Sequence, residues 1–214
     1  YEMSASLVGS EMCIRDRLAR QQYEQEKITK ELQEARKKEE KKQESLPLEE
    51  VVSQMGSGMI HFPDGPMRFR AVQFFQNAVS LPVPIDYLQV QSQDQGVVSL
   101  VNDVMGISLI LQYTTSENKD VTFEKVKKGV YGQFRGAGIY AEMIEEGEVE
   151  DPVAPVYFTS MRVPVAPGVM YEMLFYSINK NNGKMLVGSY NCFYKDIEKW
   201  QNIIKATLSY LDFQ

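Results

Sequence analysis

Residues 169–178 read VMYEMLFYSI. In an extended chain successive side chains alternate between faces. One face of this stretch offers Val169, Tyr171, Met173 and Phe175. The other offers Met170, Leu174, Tyr176 and Ile178, with Glu172 as its charged interruption. A strand that is apolar on both faces lies well inside a sheet and is covered on both sides. Helices are the simplest cover. Its neighbours in sequence fit the same sheet. Val156–Val163 connects to it through Ala166-Pro167-Gly168, which suits a type II turn. Lys184–Cys192 follows through Asn179–Gly183, where Asn182-Gly183 offers the positive φ angles of a hairpin. Three consecutive strands joined by short turns make an antiparallel sheet.

The flanking segments supply the cover. Ile197, Trp200, Ile203, Ile204, Leu208 and Leu211 form one stripe at helical spacing, so a helix is expected over about 196–211. Asp196 is its expected cap, and Lys195, Lys199 and Lys205 are assigned to positions on or near the wet side. A second helix is expected after a cap at Asp120 or Thr122. Phe123, Val126, Val130, Tyr131 and Phe134 recur on one face, and Gly136 and Gly138 end it. Gly129 and Gly132 inside it each cost about 1 kcal/mol against alanine, which suggests close packing on the sheet. Ile139–Ile144 reads as a strand. Upstream, Val97–Asn102 and Ile107–Thr114 are two strands turning near Asp103 and Gly106. Arg68–Phe74, Ala78–Leu81 and Tyr87–Gln91 are further strands, and Pro82 and Pro84 confine their segment to an edge or a loop. A short helix is expected over Glu49–Met55. The expected fold class is therefore α+β: an antiparallel β-sheet flanked by helices on both faces.

The beginning of the chain has a different character. Leu7–Arg17, LVGSEMCIRDR, can be written in codons as the transposon-type adapter of a sequencing library. Tyr1 and Glu2 fit the end of the flow-cell primer, and Met3 to Ser6 span the barcode. Residues 1–17 are therefore expected to be adapter-derived, with the native start and any signal peptide or anchor replaced. Residues 18–47 form a charged helical arm or linker. Between 18 and 45 lie eight Lys/Arg and seven Glu but few apolar groups, among them Ile28 and Leu32. Proline at 47 ends the arm. Residues 48–214 are expected to be a single domain.

Composition excludes several classes of chemistry. Residues 46–214 carry thirteen Lys/Arg against nineteen Asp/Glu. Such an acidic domain repels phosphate backbones, so no nucleic-acid partner is expected. Past the adapter there is one cysteine, Cys192, and one histidine, His61. That leaves no internal disulfide and no Cys/His metal spacing. Cys192 reads as a small buried apolar side chain, and His61 as a surface or turn residue. The run Glu142, Glu145, Glu146, Glu148, Glu150, Asp151 lacks EF-hand spacing and reads as a solvated acidic loop. Gly132, Gly136 and Gly138 follow a helix, the wrong context for a phosphate-cradling loop. Met143, Met161, Met170, Met173 and Met185, with Tyr157, Tyr171 and Phe175, read as core, with an apolar-ligand pocket as the alternative. No catalytic, cofactor-binding or metal residue is assigned, and no cofactor is expected.

The segments Met185-Leu186-Val187-Gly188-Ser189-Tyr190-Asn191-Cys192, running into a helix with Trp200, and Phe75-Gln76-Asn77-Ala78-Val79-Ser80-Leu81-Pro82 resemble the PsbP/DcrB-like superfamily. The resemblance covers about residues 60–213. It implies an antiparallel sheet flanked by helices and a role that is mostly non-catalytic, as in photosystem accessory subunits, bacterial envelope lipoproteins and a nuclear-transport factor. It assigns no functional residue to a position here. The expected function is a non-enzymatic binding or accessory, adaptor-like protein of bacterial type with another protein as partner. The alternatives are a small apolar-ligand carrier and a carboxylate-based hydrolase centred on Glu172. Membrane contact is expected only through a missing N-terminal anchor. Location stays open between cytoplasm and cell envelope.

Overall fold

The computed structural model describes residues 46–94, 96–115, 122–165 and 168–214. The adapter-like stretch, the arm up to residue 45, Asp120 and the Ala166-Pro167 turn lie outside the described residues. The element order is α1 (Leu48–Gly56), β1 (Met59–Phe62), β2 (Gly65–Phe74), β3 (Val79–Pro84), β4 (Gln89–Asp94), β5 (Val97–Asn102), β6 (Ile107–Thr115), α2 (Phe123–Gly136), β7 (Glu142–Val149), β8 (Val156–Val165), β9 (Gly168–Ile178), β10 (Lys184–Phe193), a 3-10 turn (Tyr194–Asp196), α3 (Ile197–Ser209) and β11 (Asp212–Phe213). The fold class is α+β, as expected. The strands divide into two antiparallel sheets: one of order β1-β2-β3-β11 and a larger one of order β4-β5-β6-β10-β9-β8-β7.

The doubly apolar strand β9 sits between β10 and β8, away from both edges of the larger sheet. Tyr171, Met173 and Phe175 face one core. It also contains the small sheet, α1 and the α3 residues Trp200, Ile203, Ile204 and Leu208. Leu174 faces the other way, with Met161 and Val163, onto Val126, Val130, Tyr131 and Phe134 of α2. Both faces are thus covered by helices. The two covers differ in depth, since α2 has no fully buried residue. Its start is capped by the Thr122 side chain, which accepts from the Lys125 N–H. Its end closes on Gly138 at φ 73°, with the Ile139 N–H donating to the Phe134 carbonyl at 2.8 Å.

Several local expectations are corrected. Ile139 and Ala141 close the turn after α2, so the strand begins at Glu142 and not at Ile139. The acidic run through Glu148 is therefore strand β7, not a loop. Only Glu150 and Asp151 follow it, with Asp151 accepting the Val153 and Ala154 N–H groups. Pro82 and Pro84 lie inside β3, a strand paired on both sides. They escape the penalty because β11 pairs only with Val79 and Ser80. A Cβ added at Gly129 or Gly132 meets nothing within 4 Å, so neither glycine permits close packing. Asp196 makes no side-chain cap; the 3-10 turn leads into α3 instead. Lys199 and Lys205 lie near the wet side, half-buried. Their side chains are 11% and 20% exposed and pair with Asp64 and Glu145. In the β9–β10 turn Gly183 alone takes positive φ.

Candidate binding surfaces

Three surfaces bring polar or charged chemistry together. The first lies on the α2 side of the sheet. Glu172 on β9 stands opposite Asn191 on β10, which stands opposite Ser108 on β6. Ser189 Oγ donates to Glu172 Oε1 at 3.0 Å, and Asn191 Nδ2 donates to Ser108 Oγ at 3.2 Å. Burial pushes the Glu172 carboxyl up from its ordinary range, and the serine hydrogen bond opposes this. These four residues are half-buried and hydrogen-bonded among themselves, which is how polar groups sit stably on a sheet face.

The second surface is a cleft of about 620 Å³ between α2 and β7. Tyr131, Gly132, Ala141 and Met143 line it together with the charged Lys127, Lys128, Arg135 and Glu146. Lys127 Nζ bridges Glu124 at 2.8 Å and Glu146 at 2.6 Å. These carboxylates, foremost Glu124 through the hydrogen bond it accepts, raise the Lys127 pKa. The bridge ties the helix to the sheet edge.

The third surface lies at the opposite end of the large sheet. All six residues of β4, Gln-Val-Gln-Ser-Gln-Asp, are exposed, and among the described residues the strand pairs with β5 alone. At its C-terminal end Gln93 and Asp94 meet Phe75, Gln76 and Tyr113 around a hollow of about 560 Å³. The Phe75 ring stacks on Tyr113 with centroids 5.2 Å apart and planes at 17°. Lys184 Nζ lies 5.9 Å from the centre of the same tyrosine ring. Phe75, Gln76 and Asn77 take φ of 55°, 59° and 69° in succession. Left-handed backbone costs roughly 1–2 kcal/mol per ordinary residue, and asparagine tolerates it better. Such strain persists where surrounding structure enforces it, often at ligand-contacting sites.

The residues singled out in the sequence scatter. His61 is exposed on β1, where its backbone N–H donates to Gln54 Oε1. Cys192 is fully buried and free, its thiol pushed up by burial. Met161 and Met173 are core, whereas Met143 lies in the α2–β7 cleft. Among the described residues no cluster of three His, Cys, Asp or Glu could hold a metal ion, and no helix is long and apolar enough to cross a membrane. The β4 edge and the Phe75 turn escaped the sequence reading. Their one visible signal is an uncharged polar run, Gln89 to Gln93, where an ordinary outer strand carries charge.

No protein-family model matches the chain, and no curated protein matches it. Among solved structures, the domain is similar to the Ran-binding protein Mog1p of Saccharomyces cerevisiae. Identity is 11%, the match covers 69% of this chain and 96% of that one, and the TM-score is 0.50. It is similar also to cyanobacterial PsbP (CyanoP) from Synechocystis, at 13% identity over 68% of this chain and 92% of that one, with a TM-score of 0.51. At these identities the likeness is one of fold. The domain shares its fold with Mog1p and cyanobacterial PsbP.

Proposed function

We propose that residues 48–214 are a non-enzymatic binding module that takes an extended polypeptide onto the β4 edge, with one side chain seated against Phe75 and Tyr113. The carrying observation is the edge itself: six exposed residues, uncharged until Asp94, paired on one side by β5. An added strand gains main-chain hydrogen bonds from such an edge, and an adjoining pocket selects a side chain. The hollow beside β4 supplies that pocket. Its aromatic wall suits an apolar or aromatic side chain, and Gln76 and Gln93 suit a polar tip. The fold neighbour Mog1p is a Ran-binding protein, so a domain of this fold can present a protein-binding surface.

Selection of peptides from a displayed random library, followed by amide chemical-shift mapping, tests the reading. Selected peptides shift and protect β4 amides and the Phe75 and Tyr113 signals. Phe75→Ala weakens binding by about tenfold, the scale of losing one well-packed anchor. Peptides that shift only other surfaces, or a library that yields no binder, refute it.

A further inference from the structure

We propose that the cleft between α2 and β7 binds a small anionic amphiphile, an apolar tail carrying a phosphate or carboxylate head. This site is separate from the β4 edge and independent of what binds there. Its size, about 620 Å³, is that of small-molecule pockets. The Tyr131 ring, Ala141 and Met143 give it an apolar wall, and Met143 is 54% exposed.

The lining also supplies the charge. Lys127 is neutralised by Glu124 and Glu146. Lys128 and Arg135 have no carboxylate partner among the described residues. They lie seven positions apart, on the stripe that also holds Tyr131 and Gly132, so both cations overlook the same opening. Two unneutralised cations beside an apolar wall, on a domain acidic overall, select an anionic head joined to an apolar body. Between them on the helix Gly132 also lines the cleft. A glycine here weakens the helix, and no neighbour lies within 4 Å of where its Cβ would be. Packing therefore does not require it. Any larger side chain at 132 would stand in the opening between Lys128 and Arg135.

Calorimetric titration of the full chain with n-octyl phosphate tests this, beside inorganic phosphate, octanol and phosphatidylglycerol vesicles. The expected result is saturable one-to-one binding of octyl phosphate, at least about tenfold tighter than inorganic phosphate or octanol. The double variant Lys128→Gln/Arg135→Gln loses about tenfold or more, as removal of charge-assisted hydrogen bonds predicts. Gly132→Leu blocks binding by occupying that position in the cleft, whereas Gly129→Ala, which lies outside the cleft, leaves it unchanged. The double variant alters exposed side chains, so it stays informative should Gly132→Leu unfold. The proposal is overturned if octyl phosphate does not saturate, if either cleft variant binds like the wild type, or if inorganic phosphate binds equally well. Binding to vesicles alone would equally overturn it, assigning the charge to a membrane surface and not to a pocket.

Discussion

Gly188→Ala puts the centre of the large sheet to a direct test. Gly188 on β10 stands opposite Phe175 on β9, which stands opposite Phe158 on β8, which stands opposite Gly147 on β7. Each ring reclines over the glycine beside it. A Cβ at Gly188 would lie 2.0 Å from Phe175 Cζ and 2.4 Å from Cε2; one at Gly147 would lie 2.5 Å from Phe158 Cζ. Carbon atoms rest about 3.5–4 Å apart, so the Phe175 ring must retreat by roughly 1.5 Å. It is fully buried in a close-packed core and has no slack. Overpacking of this kind costs typically about 1–3 kcal/mol. Alanine regains about 0.5–1 kcal/mol over glycine within a strand. With three ring atoms at 2.5 Å or less the cost lies at the upper end, about 3 kcal/mol, so the net expectation is a loss of about 2 kcal/mol. In equilibrium urea unfolding, a slope near 2 kcal/mol/M turns that into a midpoint lower by about 1 M. In a Phe175→Leu background the same change should lose less than about 1 kcal/mol, because the clashing ring tip is gone. A loss below about 0.5 kcal/mol in the wild type, or an equal loss in both backgrounds, refutes the argument.

Trp200 is 2% exposed and meets the Tyr87 ring edge-on at 5.5 Å. Trp200→Ala should lower stability by about 3–5 kcal/mol in chemical denaturation; a surface-sized change would show that α3 is not docked. Gly129→Ala fills open space on an exposed helix and should raise stability by about 0.5–1 kcal/mol, read as a higher melting temperature. For Glu172 the folded carboxyl holds its proton more tightly than the unfolded one, because burial disfavours the anion. The Glu172 contribution to stability therefore falls as pH rises from the ordinary carboxylate range through the raised folded value, and stays at its low level at neutral pH. Glu172→Gln should raise the melting temperature relative to the wild type more at neutral than at acid pH; parallel profiles for the two proteins would refute this.

The central strands were legible because two-sided burial leaves a simple mark. Val169–Ile178 alternates apolar residues onto two cores, and the Ile197–Leu208 stripe points at one of them. The small sheet was harder to read. Met59–Phe62 is four residues long and carries no periodicity, and Pro82 and Pro84 argued against a paired strand. Only the shortness of β11, a long-range fact, makes those prolines harmless. The acidic run is illegible as a strand because composition alone points to solvent. Its strand character comes from pairing with β8 and from lysines on two distant helices. The surface with the clearest binding geometry left the weakest mark. The positive φ values at Phe75 and Gln76 contradict local preference, so no propensity argument could find them.

The two outer strands of the large sheet are built oppositely, and the contrast decides which one a partner can use. On β7, Glu145 is held by Lys205 of α3 and Glu146 by Lys127 of α2, so each face of the edge is clasped by the helix on its own side. Both edges carry a shift of register, between Met143 and Glu145 on β7 and between Val90 and Ser92 on β4, so charge is what separates them. Charge is a usual means of blunting an exposed edge. An incoming strand on β7 would have to desolvate those carboxylates or break their bridges. On β4 it meets glutamine, valine and serine. Transferring the β7 device to β4 should therefore close it. Gln91→Lys with Gln93→Lys replaces exposed polar side chains and should leave stability within about 0.5 kcal/mol of the wild type. Peptides selected on the wild type should lose about tenfold or more in affinity, as like charges and lost pairing act together. Retained affinity in the folded double variant would show that β4 does not take the partner.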